Sequence, residues 1–166
     1  MPARTCFLQG RAHLRKPTLR DRAFQSWFRL RRSATLGVRG VVLDAGGRVL
    51  LLKHTYTPGW HFPGGGVEKL ETCAVSLQRE LQEEAGIIAD PGAMELLSVH
   101  ANHAFFPNDH VLLYRVTAWT QGEATQRGEI AEVRFVDPTS PPEDTSPGTK
   151  RRLAELFAGA ARSELW

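Results

Sequence analysis

The chain has 166 residues, of which 42% are hydrophobic and 23% are charged, a length and balance typical of one globular domain. A domain of this size buries a core without disulfide or metal staples. No run approaches the roughly 18 apolar residues that span a bilayer, so the sequence excludes a transmembrane helix. The two cysteines match no disulfide framework or metal-ligand spacing, which favours the reducing cytoplasm.

The basic residues are concentrated near the N-terminus. Residues 1–32 hold nine of the 21 Lys and Arg residues and one of the 18 Asp and Glu residues, so this segment carries +8 and the remainder −5. The acidic remainder is expected to be a poor general binder of nucleic acid. We assign residues 1–33 to a basic N-terminal arm.

Within this arm, residues 18–32 place apolar side chains at helical spacing between arginines, which predicts a basic amphipathic helix. The helix is expected to dock on the domain or on a second subunit, as in a homodimer. Contact with an anionic membrane surface or with nucleic acid, and a transit peptide, are the alternatives.

From residue 34 the pattern changes to short apolar strands. Strands are predicted at residues 36–43, 48–53, 60–62, 95–100, 110–119 and 131–136. The turn-rich residues 44–47 predict a hairpin between the first two strands.

Two helices interrupt the strands. The first is predicted over residues 72–85, with Thr72 as its N-cap and Gly86 as its C-terminal cap, and the second over residues 151–158, after a Pro-rich loop. This order indicates a mixed α/β domain. We place its limits at residues 34–160, with a C-terminal tail at residues 161–166.

The first predicted helix has an acidic side. Glu80, Glu83 and Glu84 follow an i, i+3, i+4 spacing, so their carboxylates share one turn and repel one another by a few tenths of a kcal/mol per pair. A hard divalent cation such as Mg²⁺ is the simplest compensation. An isolated Glu-x-x-Glu-Glu is usually a solvated acidic face, so the neighbouring sequence must decide between the two interpretations.

Two neighbouring features favour the metal. Gly64, Gly65 and Gly66 allow the backbone to approach an ion or a phosphate closely. Glu71 lies just before the helix and eight residues before Arg79, so these two side chains can pair and hold the acidic turn in place.

The segment from Gly65 to Ile87 resembles the Nudix box, G-x5-E-x7-R-E-U-x-E-E-x-G-U, where U is a bulky aliphatic residue, and every specified position is filled. The resemblance implies the α/β/α sandwich of the Nudix hydrolases, with a mixed sheet. It also implies an enzyme acting on phosphorus-containing anhydrides, which cleaves a nucleoside diphosphate linked to another moiety.

The resemblance further assigns roles to single residues. It implies Glu80 and Glu84 as the main ligands of Mg²⁺, or alternatively Mn²⁺, with Glu83 beside them and the carbonyl of Gly64 completing the site. It implies that Arg79 and Glu71 orient the helix without touching substrate.

A general base is not identified by the box alone. Many Nudix enzymes use a glutamate in a late loop, for which Glu129 and Glu132 are the candidates; we prefer Glu129 because Glu132 lies closer to the last strand. Glu83 is the rival base, and both late glutamates could instead be ordinary surface acids.

Substrate contacts are expected just before the box and in the loop after residue 101. Trp60 and His61 could stack on a base or contact phosphate, as could Phe105 or Phe106, with core packing as the alternative. Gly65 is expected to contact substrate through its backbone. The spacing of His100, His103, Asp109 and His110 matches no standard metal site.

Three functions remain open at this point. The first is hydrolysis of a small nucleotide-derived substrate. The second is a Nudix-fold regulatory protein that senses a nucleotide, although such proteins commonly have broken boxes. The third is an RNA 5′-end pyrophosphohydrolase whose basic arm grips phosphates.

Overall fold

The computed structural model describes residues 34–104, 106–125 and 128–166; the helix expected over residues 18–32 lies outside them. In chain order the elements are β1 (Thr35–Val42), β2 (Val49–His54), α1 (Cys73–Ala85), β3 (Ile87–Ile88), a 3₁₀ turn (Pro91–Ala93), β4 (Met94–Ala101), β5 (Asp109–Val116), β6 (Thr120–Gln121), β7 (Ile130–Val136) and α2 (Pro147–Phe157). In this part of the chain, no helix has the length and apolar character needed to cross a membrane.

The strands pair in three groups. β5 lies between β1, to which it is parallel, and β4, to which it is antiparallel, and this makes a mixed sheet. β2 pairs with β7 and β3 with β6, both antiparallel. The short pair β3–β6 has only two residues per strand, too few for a periodic pattern, and the sequence analysis missed it.

The turn predicted at residues 44–47 is confirmed, but the prediction that β1 and β2 pair along their length as a hairpin is wrong. The turn closes through a hydrogen bond from Gly47 N to the Asp44 carbonyl (3.0 Å), and Leu43 bridges Val49. From there β1 continues along β5 and β2 along β7. Turn residues specify a local reversal of the chain, whereas the pairing partners are chosen by burial on both faces of each strand.

Strand alternation builds two apolar layers. One packs under α1 and includes Val38, Val42, Leu50, Leu77 and Leu81. The other packs with α2 and includes Val41, Val49, Leu51, Phe62 and Leu153. Because Val41 and Val42 are consecutive yet belong to different layers, the strands lie between the two helices as an α/β/α sandwich.

Helix α1 begins and ends at the expected caps. The Thr72 hydroxyl accepts a hydrogen bond from Val75 N (3.3 Å), and Gly86 ends the helix with a left-handed φ of 66°. Gly40 of β1 faces this helix, and a Cβ there would lie 3.3 Å from the side chains of Leu77 and Leu81. The absence of a side chain at this position lets α1 lie close to β1.

Helix α2 begins four residues earlier than predicted. Ser146 caps it by accepting a hydrogen bond from Thr149 N (3.3 Å), and Pro147 takes the first helical position, where its missing N–H costs nothing. The prolines of the preceding loop therefore mark a helix start as well as a turn.

The glycine-rich loop runs beside β1. Val38 N donates to the Gly65 carbonyl and Gly40 N to the Pro63 carbonyl, each at 2.9 Å. These bonds hold the loop against the same strand that supports α1, so the glycines and the acidic side of α1 face each other.

Candidate active site

A cavity of about 660 Å³ lies beside the glycine-rich loop and α1. Most of the residues expected at the site line it: Gly64, Gly65, Arg79, Glu80, Glu83, Glu84, Glu129 and His61. Other lining residues come from β1, from the loop after β2, and from α2 with the C-terminal residues. The volume is in the usual range for a small-molecule site.

The Arg79 guanidinium donates hydrogen bonds to three glutamates and to one backbone carbonyl. Its Nε and Nη2 lie 3.0 and 3.2 Å from the two carboxylate oxygens of Glu71, which is the pair expected from the sequence. Its Nη1 donates to Glu80 Oε1 at 2.7 Å and to Glu83 Oε2 at 3.3 Å, and its Nη2 donates to the Gly66 carbonyl at 3.3 Å. Arg79 therefore ties the helix to the loop before it.

Glu71 does not line the cavity. Hydrogen bonds from Arg79 and from the Ser76 hydroxyl lower the pKa of Glu71 to about 2, so it is ionised throughout the physiological range. Its contact with the acidic turn passes through the Arg79 guanidinium.

Glu84 is the buried member of the acidic turn, with 5% of its surface exposed. Gly64 N donates to its Oε2 at 2.7 Å. Burial raises the pKa of Glu84 to about 7, although the Gly64 N–H and the charge of Arg39 oppose the shift. A buried carboxylate with one amide partner has too little positive charge around it, and a cation would stabilise its ionised form.

The glycines leave room for these carboxylates. A Cβ at Gly65 would overlap the carboxylate of Glu80, whereas a Cβ at Gly64 would overlap the Val38 carbonyl. Gly64 also has a φ of 133°, which a residue with a side chain rarely adopts. The loop thus reaches the acidic turn because it has no side chains at these two positions.

The donor chemistry of this cluster fits a hard divalent cation, since three carboxylates and a glycine-rich backbone face one cavity. Among the described residues, no three His, Cys, Asp or Glu side chains already stand in a metal-binding arrangement. Within this cavity Glu80 and Glu83 accept hydrogen bonds from Arg79, while Glu84 accepts one from Gly64 N.

The sequence analysis missed Arg39 and His54. Arg39 lines the cavity from β1, and burial lowers its pKa while the charges of Glu84 and Glu80 oppose this. His54 Nε2 lies 3.7 Å from Glu84 Oε1, and burial lowers the pKa of this imidazole to about 4, so it is neutral at pH 7. The available signal was a lone cation within an apolar strand and a histidine at the end of another.

Trp60 is not a cavity residue, which corrects its expected role in substrate binding. The indole is 2% exposed and packs in the layer shared with α2, with Lys53 and Arg134 over its ring. It is the neighbouring His61 that faces the cavity. Adjacent strand residues point to opposite faces, so only one of the two could reach the site.

Of the two glutamates considered as general base, one lines the cavity and the other does not. Glu129 is exposed and lines the cavity, and its backbone carbonyl accepts a hydrogen bond from Thr55 N at 2.8 Å. Glu132 lies on β7, contacts Arg134 and does not line the cavity. Phe106 also lies away from the cavity, and Phe105 falls outside the described residues.

His100, His103, Asp109 and His110 have their contacts outside the cavity. His100 is buried, with Nε2 2.7 Å from the Ser98 hydroxyl, and Asp109 accepts a hydrogen bond from Asn102 at 2.7 Å. The rings of His103 and His110 pack edge to face. None of these four residues lines the cavity.

The chain is similar to known proteins over most of the described fold. The family model of the NUDIX domain matches residues 34–157. An 8-oxo-dGTP diphosphatase of Proteus vulgaris is 38% identical over 94 residues, which are 53% of this chain and 80% of that protein. An RNA pyrophosphohydrolase of Teredinibacter turnerae (strain ATCC 39867 / T7901) is 40% identical over 62 residues, which are 36% of this chain and 35% of that protein.

The same similarity extends to solved structures. The crystal structure of MutT NUDIX hydrolase from Burkholderia pseudomallei matches with a TM-score of 0.64 at 23% identity, covering 76% of this chain and 100% of that one. The chain belongs to the Nudix hydrolase family. It is accordingly a hydrolase of the pyrophosphohydrolase type, in a family that generally depends on divalent metal ions.

Proposed function

We propose that this chain is a Mg²⁺-dependent enzyme that cleaves a nucleoside diphosphate linked to another moiety, within a small nucleotide derivative. The observation that carries the proposal is one cavity faced by Glu80, Glu83 and Glu84, by a glycine-rich loop and by Arg39. Acidic and basic groups on the same cavity suit a substrate that is bound as an anion together with a cation.

The acidic turn is the part of the chain suited to a metal. Glu80 and Glu84, with Glu83 beside them and the Gly64 carbonyl, would hold Mg²⁺, or alternatively Mn²⁺. When bound, such an ion neutralises the diphosphate and lowers the pKa of a coordinated water. The role of Arg79 is to position the turn, since Glu71 retains it from outside the cavity.

The remaining side chains bind substrate or move protons. Arg39 is placed to donate hydrogen bonds to phosphate oxygens, and a guanidinium does so with high geometric specificity. Glu129 is the preferred general base because it faces the cavity, with Glu83 as the rival. His54, neutral at pH 7, can donate or accept one hydrogen bond beside Glu84.

The relatives suggest which compound to try first. An 8-oxo-dGTP diphosphatase is similar over most of its length, so an oxidised purine nucleoside triphosphate is the first substrate we would test. The experiment is a Mg²⁺-dependent hydrolysis panel with 8-oxo-dGTP, dGTP, ADP-ribose, NADH, dinucleoside polyphosphates, coenzyme A and a 5′-triphosphorylated RNA. A strong preference for one compound, lost in Glu83→Gln, would support the proposal. Metal-dependent turnover unchanged in both Glu83→Gln and Glu84→Gln would contradict the site assignment.

Two further glutamates provide a matched pair in the same assay. Glu129→Gln is expected to lower kcat by about 100-fold, a typical effect of losing a general base. Glu132→Gln, on the neighbouring strand but off the cavity, is expected to leave kcat within about twofold. Equal effects of the two substitutions would shift the role of base to Glu83. Silence across the whole panel, from a folded protein that binds Mg²⁺, would favour the nucleotide-sensing function instead.

An RNA 5′-end pyrophosphohydrolase is the second candidate, favoured by the +8 arm and by the similarity to an RNA pyrophosphohydrolase. Phosphate contacts by the arm would make RNA affinity fall steeply with salt. Deletion of residues 1–32 should then remove most of that salt dependence while leaving hydrolysis of a mononucleotide intact. An RNA affinity with the same salt slope before and after deletion would exclude this use of the arm.

A further inference from the structure

The C-terminal residues 163–166 are an ordered part of the domain. Leu165 bridges Ala101 in a parallel arrangement, Ala101 N donates to the Glu164 carbonyl at 2.9 Å, and Trp166 N donates to the Ala101 carbonyl at 2.9 Å. This short segment therefore extends the sheet beyond β4, and its backbone is held by the same kind of bonds that hold the strands.

A buried arginine of α2, Arg152, hydrogen-bonds to this C-terminal segment. Arg152 has none of its surface exposed; its Nη1 donates to the Leu165 carbonyl at 2.9 Å, and its Nε donates to Glu155 Oε2 at 2.8 Å. Glu155 in turn accepts a hydrogen bond from Ser163 N at 2.8 Å. Removing either partner of a buried ion pair is costly, and both partners here also hydrogen-bond to the segment.

This anchoring holds the Trp166 ring at the cavity. The guanidinium of Arg152 lies 5.6 Å from the ring centre, and His100 meets the ring edge to face at 5.8 Å. The ring also packs directly on Gly148 in the first turn of α2, where any Cβ would overlap it. Trp166 is half-buried and lines the same cavity as the acidic turn.

The cavity has two chemically different walls. The carboxylates come from α1, whereas Trp166 and Arg151 come from the layer of α2, on the other face of the strands. The first wall suits a metal-bound diphosphate. An indole cannot neutralise a phosphate, but it offers a flat surface on which a heterocyclic base can stack.

We propose that Trp166 is a specificity-determining residue that stacks on the nucleobase of the substrate, in a position fixed by Arg152. This inference rests on the proposed function, because it places the phosphates of the substrate at the carboxylates of α1 and its base at Trp166. Trp60 and Trp119, the two other tryptophans among the described residues, do not line the cavity. Trp119 packs instead on Phe135 and donates its indole N–H to the Leu43 carbonyl.

The test separates base binding from phosphate binding and from hydrolysis. Affinities are measured by calorimetry with Mg²⁺ for a deoxyguanosine triphosphate analogue that has a methylene bridge between its α and β phosphorus atoms, and for methylene bisphosphonate, which has no base. Trp166→Ala is expected to weaken analogue binding by about tenfold or more while leaving bisphosphonate binding unchanged. Trp166→Phe should restore most of the analogue affinity, because a phenyl ring can still stack, and Trp119→Phe should match the wild type.

The outcomes distinguish this inference from the proposed function. If the wild type shows no hydrolysis but the analogue affinity depends on Trp166, the stacking role stands and the proposed enzyme activity fails. If the wild type hydrolyses nucleotides and Trp166→Ala binds the analogue as tightly as the wild type does, only the stacking role is overturned. Equal loss of both ligands in Trp166→Ala would also overturn it, since the residue would then shape the cavity as a whole. With a hydrolysed substrate, a raised KM at nearly unchanged kcat is the matching kinetic signature.

Discussion

Burial disfavours the ionised form of the Glu84 carboxyl group. Glu84 is 5% exposed, accepts one hydrogen bond from Gly64 N and shares its turn with two other glutamates. The neighbouring carboxylates have Arg79 as a counter-ion, whereas Glu84 lies 3.7 Å from the neutral His54, and the charge of Arg39 only partly offsets the effect of burial on its pKa. The cost of this arrangement is measurable as a dependence of stability on pH.

The first prediction concerns that dependence. Burial raises the pKa of Glu84 from its ordinary value of 4.5 to about 7 in the folded protein, so the stabilising contribution of its protonated carboxyl group is complete below pH 4.5 and is lost as the pH rises through 7. In EDTA, Glu84→Gln should therefore gain about 3 kcal/mol in free energy of unfolding relative to the wild type between pH 4.5 and 8. Urea unfolding at several pH values measures the difference. A difference that does not vary with pH would contradict the burial argument.

At the scale of the element, the glycine-rich loop and α1 form one unit. The loop is held by β1, and the acidic side of α1 fills the space that the missing side chains of Gly64 and Gly65 leave. The two glycines differ in what a substitution would meet. At Gly64 a Cβ meets the rigid backbone of Val38, whereas at Gly65 it meets the movable end of Glu80.

The second prediction uses that difference. Gly65→Ala should displace the Glu80 carboxylate and lower kcat by at least about tenfold, while the free energy of unfolding changes by less than about 1 kcal/mol. Gly66→Ala is the matched control, because a Cβ there has nothing within 4 Å, and it should reduce kcat far less. Steady-state kinetics and urea unfolding of both variants give the comparison. Equal kinetics for the two would mean that the position of Glu80 does not matter.

The third prediction concerns the end of α1. Gly86 combines a φ of 66° with close contacts, since a Cβ would lie 2.6 Å from the Gly122 carbonyl oxygen. Gly47 has a φ of 76° but nothing within 4 Å of its Cβ position. Gly47→Ala should therefore cost about 1 kcal/mol from backbone strain alone, and Gly86→Ala should cost clearly more. Thermal and urea unfolding measure both, and similar losses would show that the loop at residue 122 moves aside easily.

At the scale of the whole molecule, two helices on opposite faces of the strands supply two walls of one cavity. Helix α1 brings the carboxylates, and the layer of α2 brings Trp166 and Arg151. Since the acidic turn lies within the folded domain, a cation held there binds the folded state in preference to the unfolded chain. Binding of this kind stabilises the entire domain by mass action.

The fourth prediction follows from that linkage. Mg²⁺ at about 100 times its dissociation constant should raise the free energy of unfolding by about 3 kcal/mol, and Tm by several degrees. The double variant Glu80→Gln/Glu84→Gln should lose this rise, whereas Glu132→Gln, which lies off the cavity, should keep it. Differential scanning calorimetry with Mg²⁺ and with EDTA makes the test. An undiminished rise in the double variant would place the cation elsewhere.

Much of the site could be predicted from sequence because it is local in the chain. Glu80, Glu83 and Glu84 share a turn by helical spacing alone, and the caps Thr72 and Gly86 lie next to the helix that they end. Glu71 directly precedes the N-cap Thr72, and about two turns of helix bring Arg79 back beside it. Regular backbone geometry determines such contacts wherever the rest of the chain goes.

The rest was decided by contacts between distant segments. Whether Trp60 or His61 faces the cavity, and whether β1 continues along β2 or β5, depends on which faces are buried when the strands assemble. The sequence predicts a tail at residues 161–166, and it is the hydrogen bonds of residues 163–166 to Ala101 and to α2 that place Trp166 at the cavity. The sequence by itself therefore determined the acidic turn and its glycines, and the tertiary structure decided what faces them. Spacing along the chain sets neighbours within one element, whereas neighbours between elements are chosen by the burial of the whole fold.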